Sequence, residues 1–135
     1  MEVLASAICR KAVEIINCNG WAQGAHARDT AGVVCRIISG DAATFSIYGA
    51  ISKALYLLDQ PHDDKAMQQD QSALWNEITH RAAKERGQYS GVHPLFDFND
   101  DPRRTQGEVI GFLNDCAYAL EQAEKAKLAE NGVKA

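Results

Sequence analysis

The sequence predicts a mainly α protein: a compact bundle of about four helices with a short β-hairpin between the first and second. Three observations carry this. Apolar residues recur at helical spacing in four segments, a turn signature flanked by β-branched residues separates the first two, and 135 residues suit one domain with one core.

Within Glu2 to Cys18, Leu4, Ile8, Ala12, Ile15 and Ile16 share one helical face and leave Arg10, Lys11 and Glu14 for solvent. Asn19-Gly20 closes this helix, and Trp21 folds back behind it as an apolar anchor. Asp29-Thr30-Ala31-Gly32 then reads as a type I turn, with Asp first and Gly last. His26-Ala27-Arg28 and Val33-Val34-Cys35 flank it as the arms of a hairpin in which the Gly forms a bulge. A lone ribbon is marginal in water, so this one must lie on the helices.

Ser39-Gly40-Asp41 offers a loop and an N-cap for a second helix over Thr44 to Leu58. Its buried stripe is Tyr48, Ile51, Leu55 and Leu58, widened by Phe45 and Ile47. Ser46, Gly49 and Ala50 are small enough to let another backbone approach closely. A polar break around Pro61 leads to a third helix carrying Met67, Leu74, Ile78 and Ala82, with Glu77 and Arg81 paired on its solvent side and Gly87 as its stop.

Gln88 to Arg104 reads as an apolar loop interrupted by acids, pressed onto the core by Leu95, Phe96 and Phe98. Thr105 and Glu108 form a capping box at the head of the last helix. That helix buries Val109, Leu113, Cys116, Leu120 and Ala123, supports its outer face with Glu121 and Lys125, and ends at Asn131-Gly132. The expected organisation is a single helical domain over 1–130 and a frayed tail over 131–135.

Composition narrows the function. Fourteen Lys and Arg against eighteen Asp and Glu give a formal charge of −4, without a long block of either sign. Direct nucleic-acid binding is not expected, because it depends on clustered cations that release counterions. The first residues lack a basic leader region and no apolar run approaches the roughly 20 residues of a membrane span. Cys9, Cys18, Cys35 and Cys116 are widely spaced, without C-x-x-C or finger spacing, so no metal site is expected. Cys9 and Cys116 fall on apolar helix faces, where a thiol behaves as a small hydrophobe. A reduced, cytoplasmic protein without a cofactor is the expectation.

Three segments go beyond packing: WAQGAHARD at 21–29, TFSIYGAISKAL at 44–55 and FDFNDDPRRTQGEVIGFL at 96–113. Together they resemble a bacterial and phage family of small domains, domain of unknown function family 6197. Its members carry W-x-QGA-x-ARD-x-x-G, a central helix with a Gly-Ala step, and ND-x-P-x-x-T-x-x-EV. Here the first motif is Trp21, Gln23, Gly24, Ala25, Ala27, Arg28, Asp29 and Gly32, and the third is Asn99, Asp100, Pro102, Thr105, Glu108 and Val109. The central helix departs from the pattern: Phe45-Ser46-Ile47-Tyr48 replaces Trp-Cys type residues before Gly49-Ala50. The resemblance implies a fold unit and no reaction.

The candidate binding residues are Trp21, Gln23, His26, Arg28, Asp29, Asn99 and Asp100. Arg28 is expected to fork onto Asp29, Asp100 or Asp101 and tie the hairpin to the late loop. Gln23 and Asn99 are expected to satisfy loop N–H and C=O groups. His26 reads as a surface histidine, with general acid–base work beside Asp100 as the alternative. Neither Cys18 nor Ser46 sits in a nucleophile signature, and no glycine-rich phosphate loop is present, so no catalytic residue is named.

The preferred reading is a non-catalytic cytosolic binding protein that engages a protein or small ligand through the 21–32 hairpin and the 93–104 loop. One alternative is a phage or mobile-element accessory protein that inhibits a host system through an acidic face built from Asp63, Asp64, Asp70 and Glu77. The other is a small enzyme with a His/Arg/Asp cleft. Oligomeric state is left open.

Overall fold

Five helices and a two-stranded antiparallel sheet are built by the described residues, 4–59, 72–86 and 94–132 of the computed structural model. In chain order they are α1 (Ala5–Asn19), β1 (Ala27–Arg28), β2 (Thr44–Phe45), α2 (Ile47–Asp59), α3 (Ser72–Arg86), α4 (Pro94–Asp100) and α5 (Gln106–Gly132). The mainly α class with a small hairpin between α1 and α2 is the predicted one.

Helix α1 is the centre of the packing, laid against α2 on one side and α5 on the other. It buries Ile8, Cys9, Ala12, Ile15 and Ile16. Its N-cap residue Leu4 supplies no side-chain acceptor, and the carboxylate of Glu124 on α5 takes that role across the interface. Glu124 accepts from the Ser6 N–H at 3.1 Å and from the Ser6 hydroxyl. An anion there satisfies orphan donors and complements the helix dipole. One turn on, Arg10 donates to Glu121 at 2.9 and 3.1 Å and to Asn114 at 2.9 Å. Glu121 therefore serves the α1–α5 seam, where the sequence pattern had assigned it to Lys125. The Arg10 hydrogen bond holds the Glu121 carboxyl below its ordinary range.

Gly20 closes α1 as predicted, its N–H donating to Ile16 O at 2.8 Å. The Asp29–Gly32 turn also forms: Gly32 N–H donates to Asp29 O at 2.9 Å, and Gly32 takes φ +83°. That left-handed value places a residue without Cβ at the bulge position of the turn.

The hairpin arms differ from the expectation. Val33-Val34-Cys35 meets the first arm at a single antiparallel bridge between Arg28 and Val34, flanked by Asp29 N–H to Val33 O at 2.9 Å and Cys35 N–H to Ala27 O at 3.1 Å. The extended partner of β1 is Thr44-Phe45, with Ala27 opposite Phe45 and Arg28 opposite Thr44. Thr44 and Phe45 were expected inside the second helix. They are strand because Phe45 pairs its backbone on its other side too, accepting from Ala22 N–H at 2.9 Å and donating to Gly20 O at 3.1 Å. The cap of α2 is accordingly Ser46 and not the Ser39–Asp41 loop. Ser46 Oγ accepts from Gly49 N–H at 3.0 Å, while the Asp41 N–H is held by Ser39 Oγ within its own loop.

The second departure is α4, a helix where a loop was expected, which makes five helices and not four. Pro94 opens it, its fixed φ and missing N–H costing nothing at a first helical position, and Leu95, Phe98 and Asn99 turn inward. Phe98 stacks against Phe112 of α5 with ring centroids 4.4 Å apart, and Arg104 covers its ring at 3.7 Å. Helix α5 begins with the predicted capping box: Thr105 N–H donates to Glu108 at 3.0 Å and Glu108 N–H to Thr105 Oγ1 at 3.2 Å. Its inward residues are Val109, Leu113, Cys116 and Leu120, whereas Ala123 is exposed.

Helix α3 packs on α4 and α5, burying Leu74, Ile78 and Ala82 as its spacing predicts, with Glu77 and Arg81 paired at 3.1 Å. Leu58 of α2 is exposed. Pro61, Met67 and Gly87 lie outside the described residues. No described helix is long and apolar enough to cross a membrane. Cys9 and Cys116 are core residues, and burial raises both thiols, Cys116 to about 12.

Candidate functional site

The hairpin region and α4 meet through one buried amide. Asn99 is 2% exposed. Its Oδ1 accepts from the Trp21 indole N–H at 2.8 Å and from the Ile47 backbone N–H at 3.0 Å, and its Nδ2 donates to Ala22 O at 3.0 Å and to Asp100 Oδ1 at 2.9 Å. Both amide lone-pair directions and both N–H groups are thus in use. Gln23 adds a second amide, donating to the carbonyls of Asn99 and Asp101 at 3.1 and 2.8 Å. The Gly24 N–H donates to Asp100 Oδ1 at 2.9 Å. Gln23 and Asn99 do what was expected of them, joining irregular backbone that would otherwise be left unpaired in a dry place.

Arg28 does something else. Its guanidinium donates to backbone carbonyls, Gln23 O at 3.1 Å and Gly32 O at 2.9 Å, and not to the carboxylates of Asp29, Asp100 or Asp101. Those carboxylates are engaged locally. Asp29 Oδ1 accepts from Ala31 and Val33 N–H at 2.9 Å each, which builds the turn. Asp101 accepts from Arg103 N–H at 2.9 Å, and that bond keeps its carboxyl below the ordinary range. Arg28 therefore staples the 23–32 loop to itself, while Gln23 and Gly24 tie that loop to α4. Arg28→Ala is expected to lower stability by about 1–2 kcal/mol and to speed hydrogen exchange at the Asp29 and Cys35 amides. An unchanged denaturation midpoint with unchanged exchange would remove that role.

Beside the amide seam lies a cleft of about 430 Å³, lined among others by His26, Tyr48, Phe96, Asn99 and Asp100. It lies between the loop before β1, the start of α2 and α4. The His26 ring lies 4.5 Å from Tyr48 and 5.2 Å from Phe96, and Tyr48 meets Phe96 edge to face at 5.6 Å. Trp75 of α3 lies 5.3 Å from Tyr48 on the core side. The position of Tyr48 follows from backbone contact below it. A Cβ on Gly49 would stand 1.9 Å from His26 O, so helix α2 touches the strand backbone directly. The Ser46 N–H closes the same contact by donating to His26 O at 3.1 Å.

Of the seven candidates, His26, Asn99 and Asp100 line the cleft. Trp21 and Gln23 bond to the lining residue Asn99, while Arg28 and Asp29 hold the loop and turn next to it. Tyr48, Phe96 and Val34 also line it, and the sequence pattern had placed the first two with the core. Phe96 is separable in hindsight, since on a helix with Leu95, Phe98 and Asn99 inward it falls beside the buried stripe. Of the four residues of the expected acidic face, Asp63, Asp64 and Asp70 lie outside the described residues, and Glu77 is neutralised by Arg81. Among the described residues no group of three or more His, Cys, Asp or Glu is placed to hold a metal ion.

No curated protein and no solved structure matches the chain. A family profile does, over residues 1–119, which include the Trp21–Gly32 and Asn99–Val109 motifs that form the amide seam. The chain belongs to the family of unknown function DUF6197.

Proposed function

We propose that this protein is a non-catalytic, cytosolic binding protein whose site is the cleft between the hairpin and α4. The observation that carries the reading is the cleft itself: about 430 Å³ with an aromatic wall and a carboxylate at its rim. Pockets that hold small molecules have this scale and this mix of apolar lining and few polar groups. The walls are pre-organised, because Gln23 and Arg28 bond to backbone carbonyls and Asn99 to backbone and to the side chains of Trp21 and Asp100. A preformed wall reduces the ordering cost of binding. The thiols of Cys9 and Cys116, packed in the core as small hydrophobes, suit a reducing compartment.

The test is a fragment screen by backbone amide NMR on the full chain. Fragments are expected to shift amides at 24–26, 46–48 and 95–100 together. Shifts confined to other surfaces, or none at all, would overturn the reading.

A protein partner is the second reading, favoured by one observation. Val33 and Val34 are 60% and 61% exposed and Ile38 is 49% exposed, and Val34 lines the cleft. Adjacent exposed β-branched residues of this kind mark an interaction surface.

A further inference from the structure

We infer that the cleft takes a small organic cation, an ammonium group on an apolar body. The inference rests on the cleft being a ligand site and adds the charge and chemical class of the ligand. Asp100 is the one carboxylate of the described lining, which includes neither Lys nor Arg. Its orientation is set from one side. Gly24 N–H and Asn99 Nδ2 both donate to Oδ1, at 2.9 Å each, and among the described residues Oδ2 accepts from none. The carboxylate is exposed at the rim, so Oδ2 is available to a donor from outside. The neighbouring cation, Arg28, has turned its guanidinium to the carbonyls of Gln23 and Gly32.

The second half of the site is aromatic. His26, Tyr48 and Phe96 are mutually inclined by 37°, 54° and 87°. Their centroids are 4.5 to 5.6 Å apart, so the rings touch and form a continuous faceted wall, not an open cage. The negative faces of Tyr and Phe rings attract a cation within about 6 Å of the centroid, and the same surface accepts an apolar body. A carboxylate at the rim and an aromatic wall inside select the same charge. An anion would be repelled by the first and gain nothing from the second.

Three probes sharing a benzyl or phenyl body and differing in charge separate the possibilities: benzyltrimethylammonium, benzyl alcohol and benzoate, titrated into the full chain by NMR at low salt. The expected result is that the cation binds roughly tenfold or more tightly than either of the others, with shifts at 24–26 and 95–100. Asp100→Asn retains the Oδ1 acceptor for Gly24 and Asn99 and removes the charge, so it should erase the preference while benzyl alcohol binds as before. Phe96→Leu keeps the wall apolar, leaves the Asp100 hydrogen bonds alone, and should reduce cation binding severalfold. It decides the matter if Asp100→Asn shows lost amide dispersion. Equal binding of all three probes in the cleft overturns the charge inference and leaves the ligand site standing. Undiminished cation binding in either folded variant overturns the inference too, and failure of every probe and fragment to shift the cleft amides overturns the site itself.

Discussion

Gly49→Ala is expected to cost about 3 kcal/mol or more, a large share of the ~5–15 kcal/mol by which a domain of this size is stable. The reason is geometric. The added Cβ would lie 1.9 Å from His26 O and 2.9 Å from its carbonyl carbon, and both are backbone atoms. A flexible side-chain end could swing away, but this carbonyl cannot. His26 O accepts the Ser46 N–H at 3.1 Å, and the adjoining β1 is paired with β2. Relief therefore needs α2 to lift from the strand, which would break the Ser46 N–H bond to His26 O and displace Tyr48 from the cleft wall. The matched control is Gly111→Ala on α5, where nothing lies within 4 Å of the new Cβ. There the change should stabilise by about 0.5–1 kcal/mol, because Ala loses less backbone entropy in a helix. Urea denaturation of the two variants beside the parent reads both signs. A Gly49→Ala midpoint equal to that of the parent would show that α2 and the strand do not touch as described.

Gly49 also illustrates what a sequence makes legible. Ser46, Gly49 and Ala50 announce a close backbone approach, because small residues on an otherwise apolar helix have little else to do. Which backbone approaches is a tertiary fact. The long helices were legible for the same kind of local reason: Ile8, Ala12, Ile15 and Ile16 or Val109, Leu113, Cys116 and Leu120 repeat often enough for a period to show. Helix α4 has seven residues, two turns, with acids at Asp97 and Asp100 and a proline at its head. Two turns carry too little period to outweigh those loop signals. Strand β2 is shorter still, and Thr44-Phe45 exhibits no alternation that could separate it from the apolar stripe of α2.

The site divides the same way. Gln23 and Asn99 were readable as backbone-satisfying amides from residue type, since an amide both donates and accepts. Arg28 was not readable in its partner. A guanidinium donates to any oxygen in reach, and the carbonyls of Gln23 and Gly32 come near only because the loop curls around it. His26 lies in the loop before β1, Tyr48 on α2 and Phe96 on α4, with no shared spacing, so only folding brings their rings into one wall.

Asn99→Ala is the second large effect, expected at about 3–5 kcal/mol. The methyl leaves the buried Ile47 N–H, the Trp21 indole N–H and the Ala22 carbonyl without their partner. A buried polar group stripped of its hydrogen bond costs about 1–3 kcal/mol, and water entering the space recovers part of it. Because the three groups share one side chain, their costs are coupled, and the sum sits below three separate deletions. The spatial signature is as informative as the total. Trp21 and Ala22 belong to the hairpin side, Ile47 to the first turn of α2, and Asn99 itself to α4, so the variant should loosen all three at once. Hydrogen exchange is expected to accelerate at Ala22, Phe45 and Ile47, while amides in the α1–α5 seam, held by Arg10 and Glu121, keep their protection until global unfolding. Gln23→Ala makes the comparison sharp, since it removes two bonds to carbonyls at the more open edge of the same seam and should cost about 1–2 kcal/mol. If Asn99→Ala is no more damaging than Gln23→Ala, the buried amide is not the hub of the junction, and the cleft walls must be held by the aromatic packing of His26, Tyr48 and Phe96 instead.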